Sequence, residues 1–282
     1  MEVNMLDFTN TTNDWNFETV KEPVMRPNGQ VMENIYNLVR TDTDEVLHTH
    51  NNSYTILSHD DAVNAAYDAV KEADISQDFS VDIKCMDSGR KLKGTILFND
   101  LTIEPQEGDH VKLRMDFFNS YDASWAYANQ LAGLRLVCTN GMVSPQAIAK
   151  VWARHTANIN VQASVSQIAQ GMDTFLHNKE QWQQWMKVKV SRDQAEALFK
   201  DTVVKRRTKA TDERYNAKQL EVLLGQLDTE FSTLGKNKWA LYNCLTHWSS
   251  HTEASKTPEI AQRSREAKVA SAMNSKQWLA IA

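Results

Sequence analysis

The chain predicts an α+β fold: an antiparallel sheet of several strands in the N-terminal half, with a helical C-terminal half. Segments with alternating apolar residues dominate to about residue 140, as in Val81/Ile83/Cys85 and Leu92/Gly94/Ile96. After it, helical spacing takes over, as in Leu220, Leu223, Leu224, Leu227 and Phe231. Turn-forming clusters such as Asp42-Thr43-Asp44, Asn51-Asn52 and Asp87-Ser88-Gly89-Arg90 punctuate the first half at short intervals. The expected division is a polar N-terminal arm (1–33), an antiparallel-sheet α+β domain (34–160) and a helical region (161–282).

The arm is polar at Thr9–Asn13 and carries Pro23 and Pro27-Asn28-Gly29, so it reads as loop, with Trp15 and Phe17 as its anchors. Tyr36–Arg40, Val46–His50 and Tyr54–Leu57 read as three short strands. Ser58 caps a helix whose apolar positions are Ala62, Ala65, Ala66, Ala69 and Ala73. Strands follow near Phe79–Met86, Lys91–Phe98, His110–Phe118 and Ser124–Cys138. A helix is expected after Thr139-Asn140-Gly141, with Ser144 as its N-cap and Pro145 at its first position. Val165–Met186 is the next helix, and Ser191-Arg192-Asp193-Gln194 is a capping box opening another. Ala217–Leu234 is amphipathic and stops at Gly235; Trp239–His251 and a segment starting at Pro258 complete the helices.

With 41% hydrophobic and 24% charged residues, the chain can bury a core of useful size. No apolar run approaches the roughly 20 residues of a bilayer span, and no signal peptide opens the chain. Cys85, Cys138 and Cys244 are odd in number and far apart, so a reducing cytoplasm is expected. The net charge of −5 conceals a split. Residues 1–150 carry 12 Lys and Arg against 23 Asp and Glu, a net −11, whereas residues 151–282 carry 19 against 13, a net +6. Either the basic half meets a polyanion, or the two halves neutralise each other.

Phe117–Thr156 is the stretch around which the chain is organised, with the turn Asn119-Ser120-Tyr121-Asp122 between apolar runs. Asn-Ser-Tyr-Asp, then Arg-Leu-Val-Cys-Thr-Asn-Gly-Met, then Arg-His-Thr resembles the phage- and plasmid-related family called domain of unknown function 932. The block comprises Asn119, Asp122, Arg135, Cys138, Asn140, Gly141 and His155, and the likeness reaches from about Asn34 to His251. The resemblance implies a mobile-element origin and a distant likeness to strand-annealing proteins of the Rad52 type. It brings no established activity and no residue roles.

Enzyme signatures are missing: there is no Walker A sequence, dinucleotide fingerprint, GxSxG or HExxH. No catalytic residue and no cofactor is assigned, and the chain reads as non-enzymatic. Cys244, His247 and His251 share one helix face at metal-ligand spacing, yet a structural zinc site wants four ligands, and a helix face with a buried cysteine is the plainer account. Cys138 and His155 suggest a nucleophile and base, but Cys138 lies in an apolar run where cysteine is a core residue. The carboxylate groups Asp42/Asp44, Asp60/Asp61 and Glu104/Glu107/Asp109 lack supporting motifs and read as solvated. Arg135, a charge inside an apolar strand, must be paired or face a functional surface.

Three basic clusters carry the nucleic-acid expectation: Lys187/Lys189/Arg192, Lys205/Arg206/Arg207/Lys209 and Arg263/Arg265/Lys268. The chain would bind single-stranded DNA in recombination or replication, and could assemble as a ring or filament of subunits. Arg135 and the turn Asn119–Asp122 would help shape the site, Arg154, Lys205, Arg206, Arg207 and Lys209 would track phosphates, and Arg263 and Arg265 add to the binding residues. Trp182, Trp185, Tyr215 and Trp278 either stack on bases or belong to the core. Two rival classes are a host-takeover or regulatory protein that binds a protein partner by acidic mimicry, and a metal enzyme using His247 and His251.

Overall fold

Thr19–Met25 forms the first strand, β1, although its own sequence is charged and interrupted by proline. It pairs antiparallel with β2 (Val31–Arg40), which pairs with β3 (Val46–Asn51), giving a three-stranded sheet of order β1-β2-β3. Part of the expected polar arm is therefore sheet. β1 shows no inward–outward alternation because it is an edge strand, and Pro23, Lys21 and Glu22 sit where an edge must be guarded against further pairing. In this computed structural model the described residues are 14–136, 140–142, 149–153, 164–205, 215–253 and 258–281.

α1 (His59–Ala73) begins where expected, with Ser58 Oγ accepting from the Asp61 amide. It ends at Asp74 in a left-handed conformation, φ 48°. Tyr54–Leu57, expected as a strand, lies outside every strand. The second sheet comprises β4 (Phe79–Met86), β5 (Lys91–Ile103), β6 (Val111–Ser120), β7 (Tyr127–Arg135) and β8 (Asn140–Met142), hydrogen-bonded in that order. β9 (Ala149–Ala153) also pairs with β7, from Tyr127↔Ala153 to Leu131↔Ala149. This corrects the helix expected after Asn140-Gly141: the chain returns to the sheet, while Ser144 and Pro145 lie outside the described residues. Propensity at a Ser-Pro pair is local, and pairing with a waiting edge outweighs it.

The helices follow the sequence closely. α2 spans Ser164–Lys187, and α3 (Arg192–Leu198) opens with both hydrogen bonds of the Ser191/Gln194 capping box. A π-helical turn, Phe199–Val203, extends α3. α4 (Ala217–Leu234), α5 (Lys238–His251), α6 (Pro258–Met273) and α7 (Lys276–Ala280) complete the chain. No described helix is long and apolar enough to cross a membrane.

Two compact units result, and they do not follow the order of the chain. The first contains Met1–Leu101, Arg114–Leu131 and Ala149–Met172; the second contains Thr102–Leu113, Ala132–Ile148 and Asp173–Ala282. β5, β6 and β7 contribute residues to both. In the first unit, β4 and β5 present one apolar face through Val81, Ile83, Leu92, Ile96 and Phe98. The ring of Tyr67 from α1 meets this face at Phe79, 6.0 Å between centroids. Gly94 is required there, because the ring of Phe117 occupies the space a Cβ would take. The other face is charged. Lys84 stands opposite Lys93 and Asp82 opposite Thr95, while Thr95 donates to Asp116 (2.7 Å), which is paired with Arg114 (2.9 Å).

The core of the second unit is aromatic and centred on α5. Trp239, Tyr242 and Trp248 are buried, and every residue from Lys238 to Ser249 except His247 is buried too. Trp182 and Trp185 from α2 and Trp278 from α7 pack into it, with centroid distances of 5.3 Å for Trp182–Trp239, 5.2 Å for Trp185–Tyr242 and 5.3 Å for Trp185–Trp278. Lys238 is buried in this core and donates to the Trp278 (3.1 Å) and Ile281 (2.5 Å) carbonyls, holding α7 by its C-terminal end.

Candidate functional site

The turn Asn119–Asp122 is densely hydrogen-bonded to other segments of the first unit. Asn119, wholly buried, donates through Nδ2 to the Leu57 carbonyl (2.9 Å) and to Nδ1 of His59 (3.1 Å). Nε2 of His59 then donates to the Gly89 carbonyl at 2.9 Å. Both ring nitrogens are thus used, and the imidazole is held neutral with its proton on Nε2. Gly89 has φ +93°, and a Cβ there would meet Arg40 and Phe17. The Tyr121 hydroxyl accepts from the His59 amide (3.0 Å), and burial pushes the phenol up to about 12. His50 donates to the Tyr121 carbonyl (2.6 Å) and stacks on Tyr54, whose hydroxyl donates to the Ser120 carbonyl (2.9 Å).

Asp122 faces Lys91, whose ammonium lies 2.6 Å from both Asp122 and Asp87. Burial works against that charge, but the hydrogen bonds to Asp122 and Asp87 outweigh it and raise the lysine above its ordinary range. The turn therefore joins β6 to α1, to the β4–β5 turn and to the small sheet. Its side chains are committed inward. The histidines and tyrosines that meet there (His50, Tyr54, His59) come from segments up to 71 residues away, which is why the sequence gives no sign of the cluster.

Arg135 belongs to the second unit. It is 3% exposed and donates through Nε to Asp109 Oδ1 at 2.5 Å. Of the two readings the sequence left open, the ion pair is the one the fold realises. Glu230 from α4 is also buried; burial raises its carboxyl, and the nearby Arg135 opposes that shift. Asn140 and Gly141 are register partners of Arg135 and Leu134 in the β7–β8 pair. Cys138, Arg154 and His155 lie outside the described residues.

The basic clusters divide. Arg192 is paired with Asp228 (3.2 and 3.3 Å) on the surface, where solvent screens the pair. Arg265 donates to the Ser249 carbonyl at 2.9 Å near the end of α5, and burial lowers Arg263 to about 10. Both are half-buried. Lys205 is exposed and bridges antiparallel to Tyr215, with the Asn216 amide donating to the Val204 carbonyl at 2.9 Å. Arg206, Arg207 and Lys209 fall between these bridged ends, outside the described residues. Trp182, Trp185 and Trp278 are core residues, while half-buried Tyr215 has the Lys200 ammonium 5.0 Å from its ring centre.

The helix face of Cys244, His247 and His251 is an interior one at its first residue. Cys244 is fully buried, donates to the Leu223 carbonyl (3.3 Å), and has its thiol pushed well up by burial. His247 and His251 lie 4.6 Å apart between ring centres, and burial, then the neighbouring His251, lowers His247. Among the described residues no three His, Cys, Asp or Glu side chains converge as a metal site would require.

The sequence profile of a family described as domain of unknown function (DUF932) matches residues 46–276. The chain belongs to that family. Neither the curated proteins nor the solved structures yield a match. In this DUF932 chain the matched span runs from β3 to the start of α7, so it takes in both the turn network and the helical core.

Proposed function

We propose that this DUF932 protein binds single-stranded nucleic acid non-enzymatically, in the recombination or replication of a phage or plasmid. The observation that carries the reading is the basic run Lys205–Lys209, whose flanks are held together by the Lys205–Tyr215 bridge. Lys205, Arg206, Arg207 and Lys209 stand within five residues of sequence, and clustered cations supply most of the sequence-independent affinity for phosphates. Lys200 adds a cation beside Tyr215, although Glu196 at 2.7 Å answers part of it. Arg135 does not enter the binding surface, because it and its partner Asp109 are both buried, and Arg265 is engaged by the Ser249 carbonyl.

The test is a fluorescence-anisotropy titration with a labelled oligonucleotide across a salt series. Wild type binds, with affinity falling as salt rises. The variant K205E/R206E/R207E/K209E loses about 3 units of the log–log salt slope, from about 0.7 per phosphate contact. Absence of binding at low salt, or binding indifferent to salt, removes the reading.

A further inference from the structure

In the first unit a cavity of 440 Å³ opens between the last turns of α1 and the segment entering β4, lined by Tyr67, Lys71, Asp74, Ser76, Gln77 and Phe79. We propose that it receives one nucleobase; the ligand's identity rests on the nucleic-acid reading above. The volume lies within the range of small-ligand sites, roughly 300–1,000 Å³. Tyr67 and Phe79 are half-buried and meet edge to face at 6.0 Å, so they form a corner with an aromatic surface for a flat ring. Phe98 backs Phe79 at 6.2 Å, which keeps that wall in place.

The remaining lining narrows the ligand class. Lys71 and Asp74 cancel in charge, so the cavity selects for neither an anion nor a cation. Ser76 is already committed: its hydroxyl donates to Asp100 at 2.6 Å and accepts from the Asp78 amide at 3.0 Å. Gln77 is left to supply an amide donor and an amide acceptor side by side, the pattern that matches a base edge. A flat, neutral ring carrying donors and acceptors is what these walls complement. The phosphates of such a ligand stay outside.

Saturation-transfer NMR on the full chain with free adenosine, guanosine, cytidine and thymidine tests the cavity directly. Transfer to the base protons of at least one nucleoside is expected, reduced several-fold in Tyr67→Leu measured at a temperature where circular dichroism shows both proteins folded. Gln77→Leu keeps transfer but loses preference among the bases. No transfer to any nucleoside, or transfer undiminished in Tyr67→Leu, overturns the proposal. In oligonucleotide titrations the same Tyr67→Leu change weakens binding by roughly 5- to 100-fold, the share of one stacked base. Oligonucleotides that bind with salt dependence while nucleosides give no transfer overturn the cavity alone. Nucleosides that bind while oligonucleotides do not support the cavity and remove the strand-binding reading instead.

Discussion

Asn119 Nδ2 stands 3.1 Å from Nδ1 of His59, across 60 residues of sequence, and this contact decides which nitrogen of the histidine holds the proton. The Leu57 carbonyl at 2.9 Å fixes the amide orientation, so His59 must accept at Nδ1 and donate at Nε2. Replacing Asn119 by Ala strands the Leu57 carbonyl and the His59 nitrogen in a buried setting. A loss of about 2–4 kcal/mol in urea unfolding is expected. A loss below about 0.5 kcal/mol would show that the turn is not held by this network.

Gly94 faces the ring of Phe117 with no room for a Cβ. Gly94→Ala should cost about 1–3 kcal/mol through overpacking. The double variant Gly94→Ala/Phe117→Leu should cost less than the sum of the two single changes, since the smaller side chain vacates the contested space. Additive costs in that cycle would contradict the contact.

Glu230 carries a carboxyl raised by burial beside Arg135 and Asp109. A carboxyl raised in the fold binds protons more tightly there than in the unfolded chain. Its contribution is fully present below the ordinary value of 4.5 and is lost as pH rises through the folded value. Glu230→Gln, which keeps the acceptor for Gln226 (2.9 Å), should therefore melt higher than wild type at pH 7. The gap should close as pH falls toward 4.5, and a gap independent of pH would reject the assignment.

His247 shifts in the other sense of linkage. Burial and His251 depress it below 6.5, so the unfolded chain takes up the proton first as pH falls. Stability from this site is present above 6.5 and declines as pH drops toward the depressed value. His247→Gln should flatten the melting curve between pH 7 and 5 relative to wild type, measured calorimetrically.

Lys238→Met removes the donor that serves the Trp278 and Ile281 carbonyls while keeping the apolar stem. The expected result is faster hydrogen exchange, largest in α7, with a global loss of about 1–3 kcal/mol. Unchanged exchange in Lys276–Ala280 would mean that α7 is held by Trp278 alone.

Helix boundaries were legible because their signals are local. Ser58, the Ser191/Gln194 box and the Ala217–Leu234 span can each be read within a single turn or face of a helix. β1 was not legible, since an edge strand exposed on both sides needs no alternation. β9 was hidden by the Ser-Pro helix signal upstream, and its pairing with β7 depends on a partner 18 to 26 residues back. The bonding of the Asn119–Asp122 turn was equally hidden, although the segment itself stood out.

By itself the sequence determined the α+β order, the helix termini and the family, because these depend on neighbouring residues and on similarity along the chain. Only the tertiary structure decided what each charge does. Arg135 and Arg265 look alike in sequence to Lys205, yet Arg135 is directed to the buried Asp109, Arg265 to the Ser249 carbonyl and Lys205 to solvent. The physical reason is that a buried charge must find its partner in space, and that partner can come from anywhere in the chain.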